Sequence, residues 1–253
     1  MGLVFSMNLK VIGSSSKGNA YILETPTGKL LLECGFSNFR IIKEALNYDL
    51  KGVLGCLLTH SHSDHSASIC YVCRNGIDIY MTQETADTTG SRGHRLNIIE
   101  SGKQFKVGDF IVLPFPTEHD CPGAVGYLIQ YKPTGEKILF VTDTYFIRNR
   151  FGGLDYILVE CNYCKDTLDE NIANGTIRHE IKNRLLESHF SLEHVKEFLS
   201  ANDLAKVKKI VLLHLSSANS DAERMVREIT GLTGKDTEIA EAGKNIPLEL
   251  YPF

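Results

Sequence analysis

Residues 59–66 read Thr59-His60-Ser61-His62-Ser63-Asp64-His65-Ser66, directly after the apolar run 53–58. Apolar and β-branched residues in a short run bounded by polar chain predict a buried strand. The cluster therefore leaves a strand end, where its three imidazoles and one carboxylate can turn toward a common point. Borderline-soft divalent ions favour imidazole nitrogen and carboxylate oxygen together. The small serines between the donors leave room for the chain to wrap around an ion. The competing reading is a solvated polar loop that happens to be rich in histidine. A complete HxHxDH placed after a buried strand argues against it.

More donors stand at the ends of other expected strands. His119 follows the run 110–115, Asp143 follows 137–141, and His214 follows 208–213. Each alone would read as a polar residue capping a strand. Taken together, His60, His62, Asp64, His65, His119, Asp143 and His214 exceed what one ion uses. They are enough for two divalent ions sharing a carboxylate. Zinc and manganese both suit this donor set, and the choice stays open.

At this point the chain resembles the metallo-β-lactamase superfamily, whose most specific motif is HxHxDH followed in order by His, Asp and His. Within it, the chain is most similar to the YycJ/WalJ-type single-domain exonucleases. The matching pieces are Gly13-Ser14-Ser15-Ser16-Lys17-Gly18-Asn19, Thr142-Asp143-Thr144, Glu160-Cys161-Asn162, Ser188-His189-Phe190-Ser191 and His214-Leu215-Ser216. The resemblance implies a four-layer αββα sandwich with metals at one edge. It assigns His60, His62 and His119 to one ion and Asp64, His65 and His214 to the other, bridged by Asp143. It also implies that His189 binds a phosphate oxygen or protonates the leaving group. Two departures stand out: relatives often carry Asp where this chain has Glu33, and His where it has Tyr163. The short interval between Asp143 and His214 leaves no room for the second domain that multi-domain nucleic-acid processors of this superfamily insert there.

The rest of the pattern fits an α+β protein. Strands are expected over 8–12, 20–24, 29–32, 53–58, 77–81, 110–115, 124–131, 137–141, 156–159 and 208–213. Helices are expected over 38–47 and 83–88, in a stretch ending near Glu187, and over 192–201 and 218–231. Ser191 reads as a helix start and Gly231 as a stop. Hairpin-rich strands come first, then helices, then strands again, which points to mixed sheets covered by helices. With no linker, low-complexity tract or repeat, residues 1–253 are expected to form one domain.

A net charge of −4 gives no general attraction to nucleic acid or anionic membrane, so contact with either requires a local patch. No apolar stretch approaches bilayer length, and the first residues lack a signal-peptide pattern. Gly2 and Ser6 only thinly match an acylation site. The expectation is a cytoplasmic protein with no membrane contact and no obligate protein partner. Seven cysteines without a secretion signal read as reduced thiols. Cys70 with Cys73 and Cys161 with Cys164 have CxxC spacing, for which buried or incidental thiols weigh above a structural zinc.

Substrate contacts are expected from Lys17 and Asn19 in the polar loop 13–19, whose backbone N–H groups suit a phosphate. Arg178 and Lys182 are expected on one helix face at i,i+4, with Arg184 on the same helix; a solvated charged face is the competing reading. Tyr163, Arg92 and His94 are weaker pocket candidates. Asp64 and His189 are the expected catalytic groups. The expected activity is phosphodiester hydrolysis of nucleic acid, favouring DNA cut from a 5′ end, by a hydroxide activated between two metals. The alternatives are a small-molecule hydrolase of a cyclic phosphodiester, lactone or thioester, and a non-catalytic metal-binding module.

Overall fold

A computed structural model of the chain describes residues 7–248, apart from the side chains of residues 179–181. Gly2 and Ser6 lie outside the described residues. The first half holds β1 (Met7–Ser15), β2 (Gly18–Thr25), β3 (Gly28–Leu32), α1 (Arg40–Ala45), β4 (Val53–Leu57), α2 (Ser63–Ser66) and α3 (Ile69–Arg74). It continues through β5 (Ile79–Met81), α4 (Gln83–Thr89) and β6 (Leu96–Ile98). The second half holds β7 (Phe105–Val107), β8 (Phe110–Pro116), β9 (Val125–Tyr131), β10 (Glu136–Val141) and β11 (Tyr156–Glu160). Then come α5 (Lys165–Ala173), α6 (His179–Ser188), α7 (Leu192–Ser200), β12 (Lys209–Leu213), α8 (Ala222–Thr233), β13 (Asp236–Ile239) and β14 (Asn245–Leu248).

The strands form two seven-stranded sheets, ordered β14-β1-β2-β3-β4-β5-β6 and β13-β12-β11-β10-β9-β8-β7. Both sheets follow one plan. Four strands pair antiparallel, β14 to β3 in one and β7 to β10 in the other, and three more then add in parallel. Antiparallel neighbours need only tight turns, whereas parallel ones need crossovers, which is where the helices enter.

Alternation along the strands builds the layers. In β10, Ile138 and Phe140 enter the core between the sheets, while Leu139 and Val141 face the opposite way. Those outward residues pack with Val195, Phe198 and Leu199 of α7 and Met225 and Ile229 of α8. On the first sheet, Leu31 of β3 and Cys56 of β4 face Ile42 of α1, Val72 of α3 and Ala86 of α4. The order is helix, sheet, sheet, helix, as the family resemblance implied, and the sheets are mixed and covered by helices, as the pattern of strands and helices implied. Each fully buried large aliphatic or aromatic side chain contributes about 1.5–3 kcal/mol, so the central cluster is the main source of cohesion.

The CxxC pairs fall in different outer layers, Cys73 on the first sheet's helical side and Cys161 and Cys164 on the second's. They cannot share one ion. All seven cysteines are free thiols. Ser191 caps α7 by accepting from His194 N–H at 3.2 Å. The expected stop at Gly231 is corrected: α8 runs on to Thr233 and ends at Gly234, whose φ of 67° suits a left-handed cap.

Candidate metal centre and active site

Parallel strands put their carboxyl ends along one edge, where ligands of such sheets gather. β10, β11 and β12 lie side by side and parallel, with Val141 opposite Val159 and Glu160 opposite Leu213. Asp143, Glu160 and His214 thus emerge together. β4 delivers Thr59 and His60 from the other sheet, and the HxHxDH segment then coils into the short helix α2, with His62 as its N-cap residue. That turn passes so close to Gly35 that a Cβ there would lie 1.6 Å from the Asp64 carbonyl oxygen. Asn19 ties the same turn down by donating to Ser15 O at 3.0 Å and Asp64 O at 3.3 Å.

The donors fall into two groups. In the first, one ligand atom from each of His60, His62, His119 and Cys121 lies within 4.8 Å of all the others. The outward ring nitrogens of its histidines have their own neighbours, an arrangement that orients metal-binding imidazoles. His119 Nδ1 donates to the Ser188 carbonyl at 2.9 Å, and His60 Nδ1 pairs with Thr59 Oγ1 at 2.9 Å. His62 Nε2 stands 3.4 Å from Asp120 Oδ1. His62 Nδ1 and His119 Nε2 meet at 3.1 Å. His60 Nε2 is buried with no hydrogen-bond partner. Such an orphan costs about 1–3 kcal/mol, and a cation at the centre of the group would satisfy it. Burial pushes His60 well below the usual imidazole pKa, with His65 adding to the effect. It is neutral at neutral pH, as a ligand must be.

The second group gathers Asp64, His65, Asp143 and His214, again with ligand atoms within 4.8 Å of one another. Asp143 joins the two. Its Oδ1 lies 2.5 Å from His214 Nδ1 and 3.3 Å from His65 Nε2, while Oδ2 faces His60 Nε2 and His119 Nε2, each at 4.0 Å. Burial would raise this carboxyl, but His214 and His65 hold it well below the usual carboxylate range. Burial likewise opposes charge on His65, yet Asp143, Asp64 and Glu33 carry its pKa well above the ordinary value. Imidazoles and carboxylates at these separations are the donor set divalent ions use. The residues present fit a two-ion centre.

Glu160 and His189 border this group. Glu160 accepts from His189 Nδ1 at 2.6 Å, Thr144 N–H at 3.1 Å and Phe190 N–H at 3.0 Å. Burial pulls His189 down, but Glu160 overrides it through charge and hydrogen bond, and the pKa rises to about 9. Backbone strain collects here too. Glu33, Asp143 and His214 have φ of 64°, 20° and 52°, and beside them only Asn47 and Tyr48 among the described non-glycine residues have positive φ, a region that side-chain-bearing residues seldom occupy.

Residues 29–215 match a family model described as a beta-lactamase superfamily domain. The chain belongs to the beta-lactamase superfamily. Among curated relatives, the exodeoxyribonuclease WalJ of Streptococcus pneumoniae is 28% identical, with 95% of this chain and 92% of the relative covered. The exodeoxyribonuclease YycJ of Bacillus anthracis is 27% identical, covering 88% and 86%. Among solved structures, the metallo-β-lactamase fold protein YhfI of Bacillus subtilis superposes with a TM-score of 0.72 at 15% identity, covering 96% of this chain and 99% of that one. The metallo hydrolase Igni18 of Ignicoccus hospitalis gives 0.68 at 14% identity, covering 97% and 100%.

In this superfamily member a cleft of about 370 Å³ opens over the donors, lined by His62, Asp64, Asp143, His189, His214 and Arg184 among others. The residues expected to touch substrate are dispersed. Asn19 is fully buried, its amide 3.0 Å from His65 Nε2. Ser14, from the same loop, accepts from His214 N–H at 2.8 Å. That loop props the donors, and Lys17 lines a neighbouring hollow with Phe36 and Leu215. Arg178 is the N-cap residue of α6, and Lys182 pairs with Asp169 of α5 at 2.6 Å. Arg184, two residues on, is the cation that lines the cleft, with Asp120 at 3.3 Å. Arg92 pairs with Asp87 near the end of α4, Tyr163 is buried, and His94 is exposed; none lines the cleft.

Three residues of the site are given no role by the sequence, although Glu160 falls in a piece that matches the family. Glu160 ends a strand, like the donors that were found, and the same rule would have reached it. Cys121 stands two residues after His119, a spacing that could have flagged a soft donor. Asp120 gives no such signal; only the fold shows it touching both His62 and Arg184.

Proposed function

We propose that this chain is a two-metal hydrolase that cleaves nucleic-acid phosphodiesters, with DNA degraded from a 5′ end as the favoured reaction. The observation that carries the two-metal part is Asp143, whose two carboxylate oxygens face two separate donor groups. His60, His62 and His119 would hold one ion, Asp64, His65 and His214 the other, and Asp143 both. When bound, the ions supply Lewis-acid charge neutralisation and acidify water into a nucleophile.

The chain's own groups do the rest. His189 gives Nδ1 to Glu160, which leaves Nε2 for substrate; with its pKa at about 9 that nitrogen carries a proton at neutral pH. It can hydrogen-bond a phosphate oxygen or protonate the departing oxygen. Arg184 offers a guanidinium to a phosphate at the rim, where Asp120 positions it. Phosphodiester chemistry is further supported by the exodeoxyribonuclease names of the two relatives. Seven unpaired thiols fit a reducing compartment such as the cytoplasm, and among the described residues no helix is long and apolar enough to cross a membrane.

One observation favours a second reading, hydrolysis of a small phosphodiester. Arg184 is the sole lysine or arginine among the described cleft residues, and a cavity of about 370 Å³ matches a small ligand. End-labelled DNA and RNA, run beside cyclic phosphodiesters and lactones with zinc or manganese, separate the readings. Progressive shortening of DNA, abolished by Asp64→Ala, is expected. Turnover of the small substrates with every nucleic acid left intact would overturn the nuclease assignment.

A further inference from the structure

We propose that Cys121 is a further protein ligand, beside the shared Asp143, of the ion held by His60, His62 and His119, and that its thiolate makes this half of the centre zinc-selective. The inference rests on the two-metal reading above and deepens it by naming the metal. Geometry is the first support. Zinc with nitrogen donors at about 2.0–2.1 Å and sulfur at about 2.3 Å has neighbouring donors roughly 3–3.6 Å apart. The sulfur and three imidazole nitrogens here lie within 4.8 Å of one another, so a contraction of roughly an ångström brings all four within reach of one ion, with Asp143 as its fifth donor.

The second support is independent of the cysteine. His60 Nε2 belongs to the same group, is buried, and has no hydrogen-bond partner; His60 is 1% exposed. A buried nitrogen without a partner, set among other donors, is satisfied by an ion at their centre.

The surroundings of the thiol point the same way. Cys121 sits in a closed turn: Thr117 N–H donates to Ala124 O at 3.2 Å, and Thr82 Oγ1 donates to Gly123 O at 2.9 Å. Pro122 further restricts the backbone beside it. Cys121 is also half-buried, which sets it apart from the fully buried cysteines of the outer cores.

Thiolate is a soft donor. It suits zinc and cobalt and is a poor match for manganese, which favours carboxylate, carbonyl and water. The second group offers only imidazole and carboxylate and imposes no such choice. On ligation the Cys121 S–H bond gives way to an S–Zn bond, and the proton leaves to solvent.

Two readouts test this without using activity. Chelator-stripped protein refilled with cobalt should show a sulfur-to-metal charge-transfer band in the near ultraviolet, and Cys121→Ser should lack it. Zinc should protect Cys121 of the unmodified protein from alkylation, followed by peptide mass, while exposed Cys70 stays reactive. In zinc-against-manganese competition, Cys121→Ser should lose at least the roughly 10–100-fold in affinity carried by lesser, outer-shell contacts. Two bound ions with no charge-transfer band, and equal alkylation of Cys121 with and without zinc, would overturn this inference and leave the two-metal reading standing. Failure to bind any metal would overturn both.

Discussion

The two donor groups share Asp143 but are built differently. The His60, His62 and His119 group has no carboxylate of its own. Its outward nitrogens lean on a threonine hydroxyl, a backbone carbonyl and the rim residue Asp120. The Asp64, His65 and His214 group is dense in charge, with Glu33 Oε2 3.7 Å behind His65 Nδ1 and Glu160 Oε1 3.5 Å from His214 Nδ1. Burial lowers the pKa of His60 and His119, whereas carboxylates raise that of His65 against burial. The left-handed backbone at Glu33, Asp143 and His214 also clusters around the second group. The difference teaches that the imidazoles of one half rest on a hydroxyl, a carbonyl and a single rim carboxylate. The other is a charged knot that the fold must hold in place.

Four substitutions break or sharpen that contrast. Asp143→Ala should have the largest effect, because it removes the group common to both halves. Elemental analysis after refilling should fall from two ions per chain to one or none, with turnover lost. Two ions retained would show that neither half depends on Asp143. His189→Ala comes next, since it removes a group outside both halves. Both ions should remain while turnover falls on the order of 10²–10⁴-fold, the range for general acid–base groups. If metal content fell with activity, His189 would be a ligand.

The smallest effect concerns the metal-free protein, and it compares the halves directly. His65→Ala leaves the fully buried Glu33 without its facing imidazole, which should destabilise the fold by about 3 kcal/mol. His119→Ala frees the Ser188 carbonyl and the half-exposed His62 and Asp120, which water can reach, and should cost about 1 kcal/mol. Chemical denaturation of both stripped variants measures the gap. Equal losses would mean the second half is no more tightly knit than the first.

How far the sequence could be read depended on whether a residue belonged to a pattern. The seven donors were legible because each stands at or just beyond the end of an apolar run, and HxHxDH is contiguous. The long strands were legible from β-branched residues. β6 and β7 are three residues each, too short for a period to show. β14 carries Pro247, which weakens any strand pattern even though an edge strand tolerates it. α3 contains Cys70 and Cys73, and their spacing drew attention away from a short helix. α5 buries only Leu168 fully and so lacks an apolar stripe. Missing α5 had a consequence: Lys182 was placed at the substrate, when the neighbouring helix supplies Asp169 to hold it. Arg178 and Lys182 have the right spacing for a shared face, but the helix begins at His179, so Arg178 is its cap.

The left-handed backbone at Asp143 and His214 has an evolutionary cost. Glycine at either position would ease a backbone conformation that burdens a residue with a side chain by about 1–3 kcal/mol. The same change would delete a donor on which the centre depends. Selection for thermal hardiness and selection for turnover therefore pull on these two residues in opposite directions. A sequence drifting toward a sturdier scaffold would lose its chemistry first at the places where relaxing the chain brings the greatest gain.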